Sequence, residues 1–313
     1  MVALNVRGLM MPVFTSFNDD FTVNLHAIPA YAQYVLQSGY KSILVGGTTG
    51  EHMTISVADR KKVIDSWMAA VKPTGIHVQV HVGGAPIADV LELSSPDIQA
   101  SRAAKYCQSV GVDSILTMPE LYFKPKNADE LVSYVELVAQ AAPKLPLLYY
   151  HNPPRSRVEV NASEFVAKAT ARIPNFKGIK YSPKDLSEAA QVLRVLKDGQ
   201  EMFVSADTLL APAALLGVKN FMCISFNLFP KLAQDIIAAV EASVVPKARA
   251  LQETLSLAIE AHTAEGELVP AIKAGMEIVT GVEVGPPSQV HKPLSPEAKK
   301  RIEDKLRALK LVK

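Results

Sequence analysis

The stretch FKGIKYSPKDL, residues 176–186, places a lysine in the middle of what reads as a β-strand. Alternate residues of an extended chain share a face, so Gly178, Lys180 and Ser182 point one way and Ile179 and Tyr181 the other. Ile179 suits the apolar side, which aims Lys180 at the opposite interior, between a glycine that leaves room and a small hydroxyl. Burying an amine disfavours its charged form, and that is how a lysine becomes a nucleophile near neutral pH. The chemistry on offer is attack on a carbonyl to form an imine. A snorkelling lysine or half of a buried ion pair is the competing reading, and periodicity alone leaves both open.

Other residues could serve such a nucleophile. GGTTGE, residues 46–51, lacks the Lys-Ser/Thr of a P-loop and the spacing of a dinucleotide fingerprint. Its adjacent hydroxyls, Thr48 and Thr49, and the free N–H groups between glycines suit a smaller anion such as a carboxylate; capping of the next helix by a threonine is the alternative. YYHNPPR, residues 149–155, puts Tyr149 and Tyr150 on opposite faces, so one tyrosine faces inward as a proton relay or as core. His52, His81 and His151 have no zinc-motif spacing, so no metal is expected. There is no G-x-S-x-G elbow, and Cys223 has no designated partner, which leaves hydrolase chemistry unsupported.

The elements that must position these residues repeat. Short apolar runs at 6–14, 42–47, 76–84, 113–119, 145–151, 176–181, 202–207 and 219–225 alternate with amphipathic stretches of helical spacing. Several of those stretches close on a glycine: Gly39, Gly111, Gly199 and Gly217. Eight strand–helix units predict an α/β fold, a (β/α)8 TIM barrel over residues 1–245, with a doubly wound sheet as the structural rival. Residues 246–313 contain no further strand run and read as a three-helix C-terminal extension. The insert at 86–103 is assigned to the crossover helix after the third strand. The 313 residues carry a net charge of +2 without a basic block, which argues against nucleic acid or an anionic membrane as partner. Two unpaired cysteines, Cys107 and Cys223, and the absence of a span or signal layout predict a cytoplasmic protein.

A barrel of this type works at the C-terminal ends of its strands, where GGTTGEH, YYHNPPR, KYSPKD, SADT and CISFN fall. Together with GLMMPVFTSF and the late GPP, these motifs resemble the N-acetylneuraminate lyase family. That family lies within the lysine-dependent pyruvate aldolases that include dihydrodipicolinate synthase. The resemblance runs nearly end to end, and PELYFKP and YYH look like its animal branch. It implies that Lys180 forms the imine, that Tyr150, polarised by Thr49, relays protons, and that Thr48 and Thr49 hold the pyruvoyl carboxylate. Tyr122 matches an aromatic residue that reaches into a neighbouring subunit's site. Ser182, Ser205, Asp207 and Thr208 would meet the polyhydroxy chain of a sugar. Ser205-Ala206-Asp207-Thr208 stands where the bacterial lyases have Gly-x-Asp-Glu, and Arg155 stands where lyases carry an apolar residue and the synthases an arginine for a second carboxylate.

The resemblance implies reversible cleavage of N-acetylneuraminate to N-acetylmannosamine and pyruvate by a homotetramer that uses neither metal nor organic cofactor. Arg155 motivates one alternative, a pyruvate aldolase or synthase with an anionic aldehyde partner. A non-catalytic barrel that binds a keto acid or sugar is another, against which the retained lysine, tyrosine and threonines argue.

Overall fold

The computed structural model describes residues 3–94 and 106–312. Eight strands run β1 (Met11–Pro12), β2 (Ser42–Val45), β3 (His77–His81), β4 (Ser114–Thr117), β5 (Leu147–His151), β6 (Phe176–Tyr181), β7 (Glu201–Val204) and β8 (Asn220–Phe221). Each pairs in parallel with the next, in chain order. The last strand then turns back on the first: Phe221 N–H donates to the Gly8 carbonyl and Met10 N–H to the Phe221 carbonyl, both at 2.9 Å. The Asn220 amide reinforces the seam, accepting from Gly8 N–H at 2.8 Å while donating to Glu201 at 2.6 Å. Sequential order and this seam define a TIM-barrel α/β fold, because a doubly wound sheet reverses its strand order and leaves two edges.

The first apolar run yields only two strand residues. Gly8 sits at a φ of +89° and Pro12 has no N–H to donate, so regular pairing is confined to a short piece. Several helices between strands begin on side-chain caps that the sequence supplies. Ser56, Asn127, Asn161 and Asp185 accept from the N–H two or three residues on, which satisfies donors that the helix cannot. Within the insert at 86–103, Ile87–Ser94 is helical and the rest lies outside the described residues.

The core falls into two clusters. The larger packs the outer face of the strands against the helices and includes Leu147, Tyr149, Ile179 and Tyr181. A smaller one fills the barrel and includes Leu44, Leu116, Leu148, Tyr150, Phe203 and Met222. Most apolar burial, at roughly 1.5–3 kcal/mol for each large side chain, therefore lies outside the barrel. That leaves the interior free to hold polar groups near its mouth.

After β8 the chain is helical at Pro230–Glu241, Val245–Thr263, Leu268–Thr280 and Pro296–Ala308. The helix Val245–Thr263 packs on Pro230–Glu241 and on the turn Asp207–Leu209 beyond β7. Gln252 fixes that contact, accepting from Ala211 N–H at 2.9 Å and donating to the Asp207 carbonyl at 3.0 Å. Among the described residues no helix is long and apolar enough to cross a membrane.

Candidate active site

Lys180 lies near the C-terminal end of β6, flanked in register by Tyr150 of β5 and Phe203 of β7. Both neighbours belong to the cluster inside the barrel, which puts Lys180 on the inward face as the alternation requires. The residue is 3% exposed, and its Nζ stands 4.3 Å from the centroid of the Tyr150 ring. No ion pair fixes that amine among the described residues, which removes the buried-pair reading. Gly178 serves a different purpose from the one expected. Its φ is +137°, and a Cβ there would sit 1.8 Å from the Glu201 carbonyl oxygen. It permits close approach of the β7 backbone, where the expectation was room beside the lysine.

Of the two tyrosines, Tyr149 packs outward against Phe165 at 4.5 Å between ring centroids, and Tyr150 is the inward one. The Tyr150 hydroxyl meets Thr48 Oγ1 at 3.2 Å, either group able to donate, and accepts from Asn152 Nδ2 at 3.0 Å. Burial pushes the phenol up, but the Lys180 charge, the hydrogen bonds with Thr48 and Asn152 and the nearby Ser182 hydroxyl outweigh it, so Tyr150 titrates below its ordinary value. The sequence expectation had Thr49 polarise Tyr150. The structure places Thr48 there instead, its hydroxyl being the one within hydrogen-bond distance of Tyr150. Neither threonine caps the following helix, a task taken by Ser56.

Around this pair opens a cavity of about 400 Å³ lined by Thr48, Thr49, Tyr150, Arg155, Lys180, Ser182, Ser205, Asp207 and Thr208. All the site residues expected from the sequence therefore converge except Tyr122. That residue is 83% exposed, packs edge-on against Phe123 at 4.9 Å, and belongs to a different surface hollow with Arg157 and Glu159. Asp207 Oδ1 accepts from Ser225 N–H at 2.8 Å. Burial raises its carboxyl above the usual range, with the Ser225 hydrogen bonds and the Lys180 charge offsetting part of that. Arg155 lines the cavity with an exposed side chain and has no ion-pair partner among the described residues. The Ser182 hydroxyl oxygen is buried with no hydrogen-bond partner there.

Sequence reasoning missed Asn152, Lys184, and the far wall formed by Ile259, Glu260, Thr263, Leu268 and Val269. Asn152 is legible in hindsight, two residues beyond Tyr150 on the same face. The far wall carried no motif, because those residues belong to helices whose placement over β7 is a tertiary fact.

The histidines do not assemble a metal site, and no group of three or more His, Cys, Asp or Glu among the described residues could hold an ion. His81 stands edge-on to Tyr150 at 6.0 Å, and burial, with the charges of Arg60 and Lys180, holds it well below its ordinary range. His151 stacks on Tyr181 at 5.7 Å on the outer face. An inward amine beside a hydroxyl relay and a small-anion loop is equipped for imine chemistry on a keto acid, with a polar pocket beyond for the rest of a substrate.

Comparison with known proteins points the same way. The sequence profile of the Dihydrodipicolinate synthetase family matches residues 5–311. N-acetylneuraminate lyase of Rattus norvegicus is 29% identical over 308 residues, covering 97% of this chain and 92% of that protein. The Gallus gallus protein of the same name is 30% identical over 288 residues, covering 90% and 89%. The solved Proteus mirabilis N-acetylneuraminate lyase superposes with a TM-score of 0.90 at 26% identity, covering 98% of this chain and 99% of that one.

Proposed function

The chain belongs to the dihydrodipicolinate synthetase family, and on that premise we propose that it is a carbon–carbon lyase cleaving N-acetylneuraminate reversibly to N-acetylmannosamine and pyruvate. The observation that carries the reading is the Lys180 amine 4.3 Å from the ring of a tyrosine whose hydroxyl is held by Thr48 at 3.2 Å. Relatives that bear this lyase's name across nearly the whole chain support the choice of substrate.

Neutral Lys180 Nζ attacks the C2 ketone of the open-chain sugar acid, whose carboxylate lies on the Thr48–Thr49 turn. Tyr150 passes a proton to the departing hydroxyl, water leaves, and a protonated imine remains. The C3–C4 bond then breaks. Its electron pair flows into the imine to give an enamine, and the C4 hydroxyl proton passes to the Tyr150 phenolate as the aldehyde forms. Protonation at C3 and hydrolysis release pyruvate and regenerate the amine. The lysine and tyrosine supply all of this without a metal or organic cofactor. Ser182, Ser205, Asp207 and Thr208 hold the sugar hydroxyls.

In this reading residues 1–245 are the catalytic barrel and 246–313 a three-helix extension that contributes part of the substrate wall. The homotetramer is proposed from the helical extension and the family resemblance, and Tyr122 and Phe123, 83% and 82% exposed side by side, offer a face that a second copy would cover. A cytoplasmic setting rests on Cys107 and Cys223, both free and buried.

Borohydride with pyruvate tests the chemistry: one irreversible adduct per chain, on Lys180, is expected. An adduct on Lys177 or Lys184 removes Lys180 from the mechanism, and no adduct at all refutes the imine and favours a binding barrel. Arg155, lining the cavity without an ion-pair partner, favours one second reading, an aldolase for an anionic aldehyde. Condensation of pyruvate with a panel of aldehydes decides between them. If a carboxylated aldehyde outcompetes N-acetylmannosamine, the sialic acid assignment falls.

A further inference from the structure

The molecule buries a second lysine. Lys273, in the helix Leu268–Thr280, has a side chain 0% exposed. Its amine donates to the Thr15 carbonyl at 2.7 Å and to Glu51 Oε1 at 3.0 Å, and lies 4.5 Å from the Phe17 ring centroid. Glu51, 1% exposed in its side chain, accepts with its other oxygen from Ser288 N–H at 2.8 Å. Outside the pair, His291 stands 3.9 Å from Glu51 and 3.3 Å from Glu267.

Glu51 follows Thr48-Thr49-Gly50 directly. Its φ of +51° is a left-handed conformation that a non-glycine residue keeps only when its surroundings fix it. Gly50 is fixed as well, its carbonyl accepting from Thr15 Oγ1 at 2.6 Å. The turn that presents Thr48 to Tyr150 is thus held from behind at three places: Thr15 beyond the first strand, the helix Leu268–Thr280, and the connector at Ser288. The same helix lines the cavity with its first residues, Leu268 and Val269.

A buried ion pair is a poor way to gain stability, since desolvating two charges cancels much of their attraction and a packed apolar pair often holds a core as well. The desolvation is evident here: burial draws the Lys273 amine down to about 8 despite Glu51. What an ion pair supplies that apolar packing lacks is direction. Its oxygens and protons fix the angle and register of the backbone that carries them.

We propose that the Glu51–Lys273 pair is a positioning device for the keto-acid half of the site, setting Thr48 and Thr49 for the substrate carboxylate. Both residues act through the turn and touch no reacting atom. The proposal rests on the imine-forming reading given above.

The test reads half-saturation for pyruvate in borohydride trapping, together with kcat for cleavage. The double variant Glu51→Gln/Lys273→Met leaves no unpaired buried charge. It should fold and raise half-saturation roughly tenfold, with a smaller fall in kcat from the loosened Thr48–Tyr150 contact. Lys273→Arg, which keeps charge and donors, should stay within roughly threefold of the parent in both. Thr15→Val leaves the pair in place and loosens Gly50, so it should raise half-saturation a few-fold whether or not the double variant folds. Parental half-saturation in both the double variant and Thr15→Val overturns the proposal, as does a loss confined to kcat. A parent chain that forms no pyruvate adduct overturns the imine reading and this inference with it; a trapped parent beside unaffected variants overturns this inference alone.

Discussion

Thr48 and Tyr150 meet hydroxyl to hydroxyl at 3.2 Å, joining the turn after β2 to the end of β5. With Asn152 donating from the other side, the phenol oxygen is held in one place beside Lys180. Tyr150→Phe should lower kcat roughly 10²-fold or more, as loss of a positioned acid–base group does. Thr48→Val should share part of that loss, and Thr49→Val should act mainly on keto-acid affinity. Steady-state kinetics of the three variants checks this ordering. Equal kcat losses at Thr48 and Thr49 would contradict the hydroxyl contact.

Lys180→Met should abolish turnover and borohydride trapping while the barrel stays folded, because an apolar chain of similar length suits that interior. A second signature follows from the electrostatics. The Lys180 charge is the largest of the influences holding Tyr150 below its ordinary value, so its removal should send the phenol upward. Ultraviolet difference titration of the variant against the parent measures that direction. A phenol that titrates unchanged would mean the amine carries no charge beside it.

Arg155 and Asp207 line the same cavity but are held differently. Asp207 is anchored through Ser225, whereas Arg155 is exposed and makes no ion pair among the described residues. For a sialic acid lyase, Asp207→Ala should weaken sugar recognition by roughly 1.5–3 kcal/mol, typical of a charge-assisted hydrogen bond. Asp207→Asn, which still accepts from Ser225, is its control for local disorder. Arg155→Leu should leave N-acetylneuraminate cleavage almost unchanged. Substrate-dependence curves for the three variants test both halves of the statement.

Acid should destabilise the fold through buried neutral histidines. Burial depresses His52 from an ordinary 6.5 to about 3, and His151 to about 4. Below about pH 6.5 the unfolded chain takes up protons that these native imidazoles refuse, so stability present above that pH is lost as pH falls. The slope is roughly 1.4 kcal/mol per pH unit for each such histidine. Denaturant midpoints measured from neutral pH downward should fall accordingly, and His52→Gln should flatten the decline. A flat profile in the parent would show that these rings charge in place.

The barrel and its inward lysine were legible because strand alternation and βα repetition are local in sequence. Lys180 stands near the end of a strand whose faces can be counted residue by residue, whereas counting left Tyr149 and Tyr150 both open and the family resemblance chose Tyr150. Three things escaped that reading, each for a reason of distance. The choice of Thr48 over Thr49 depends on how the turn lies against β5, a contact across 102 residues of chain. Gly178 invited an explanation from its own neighbours in sequence, yet the constraint comes from the Glu201 carbonyl on the adjacent strand. Glu260 and Thr263 enter the cavity from a helix that Gln252 ties to the turn beyond β7, a placement no local pattern encodes.

The bond between Glu51 and Lys273 spans 222 residues of chain. During synthesis from the N-terminus, the threonine turn, Tyr150 and Lys180 are all made before Lys273, which contacts the residue closing that turn. The barrel's own seam is also late, waiting for Asn220 to meet Gly8. Contacts of such long sequence separation close slowly, because loop entropy must be overcome before they contribute. Lys180 is made before Lys273, so on the proposed reading a nascent chain holds its lysine before the threonine turn is braced, and becomes competent only as its C-terminal helices dock.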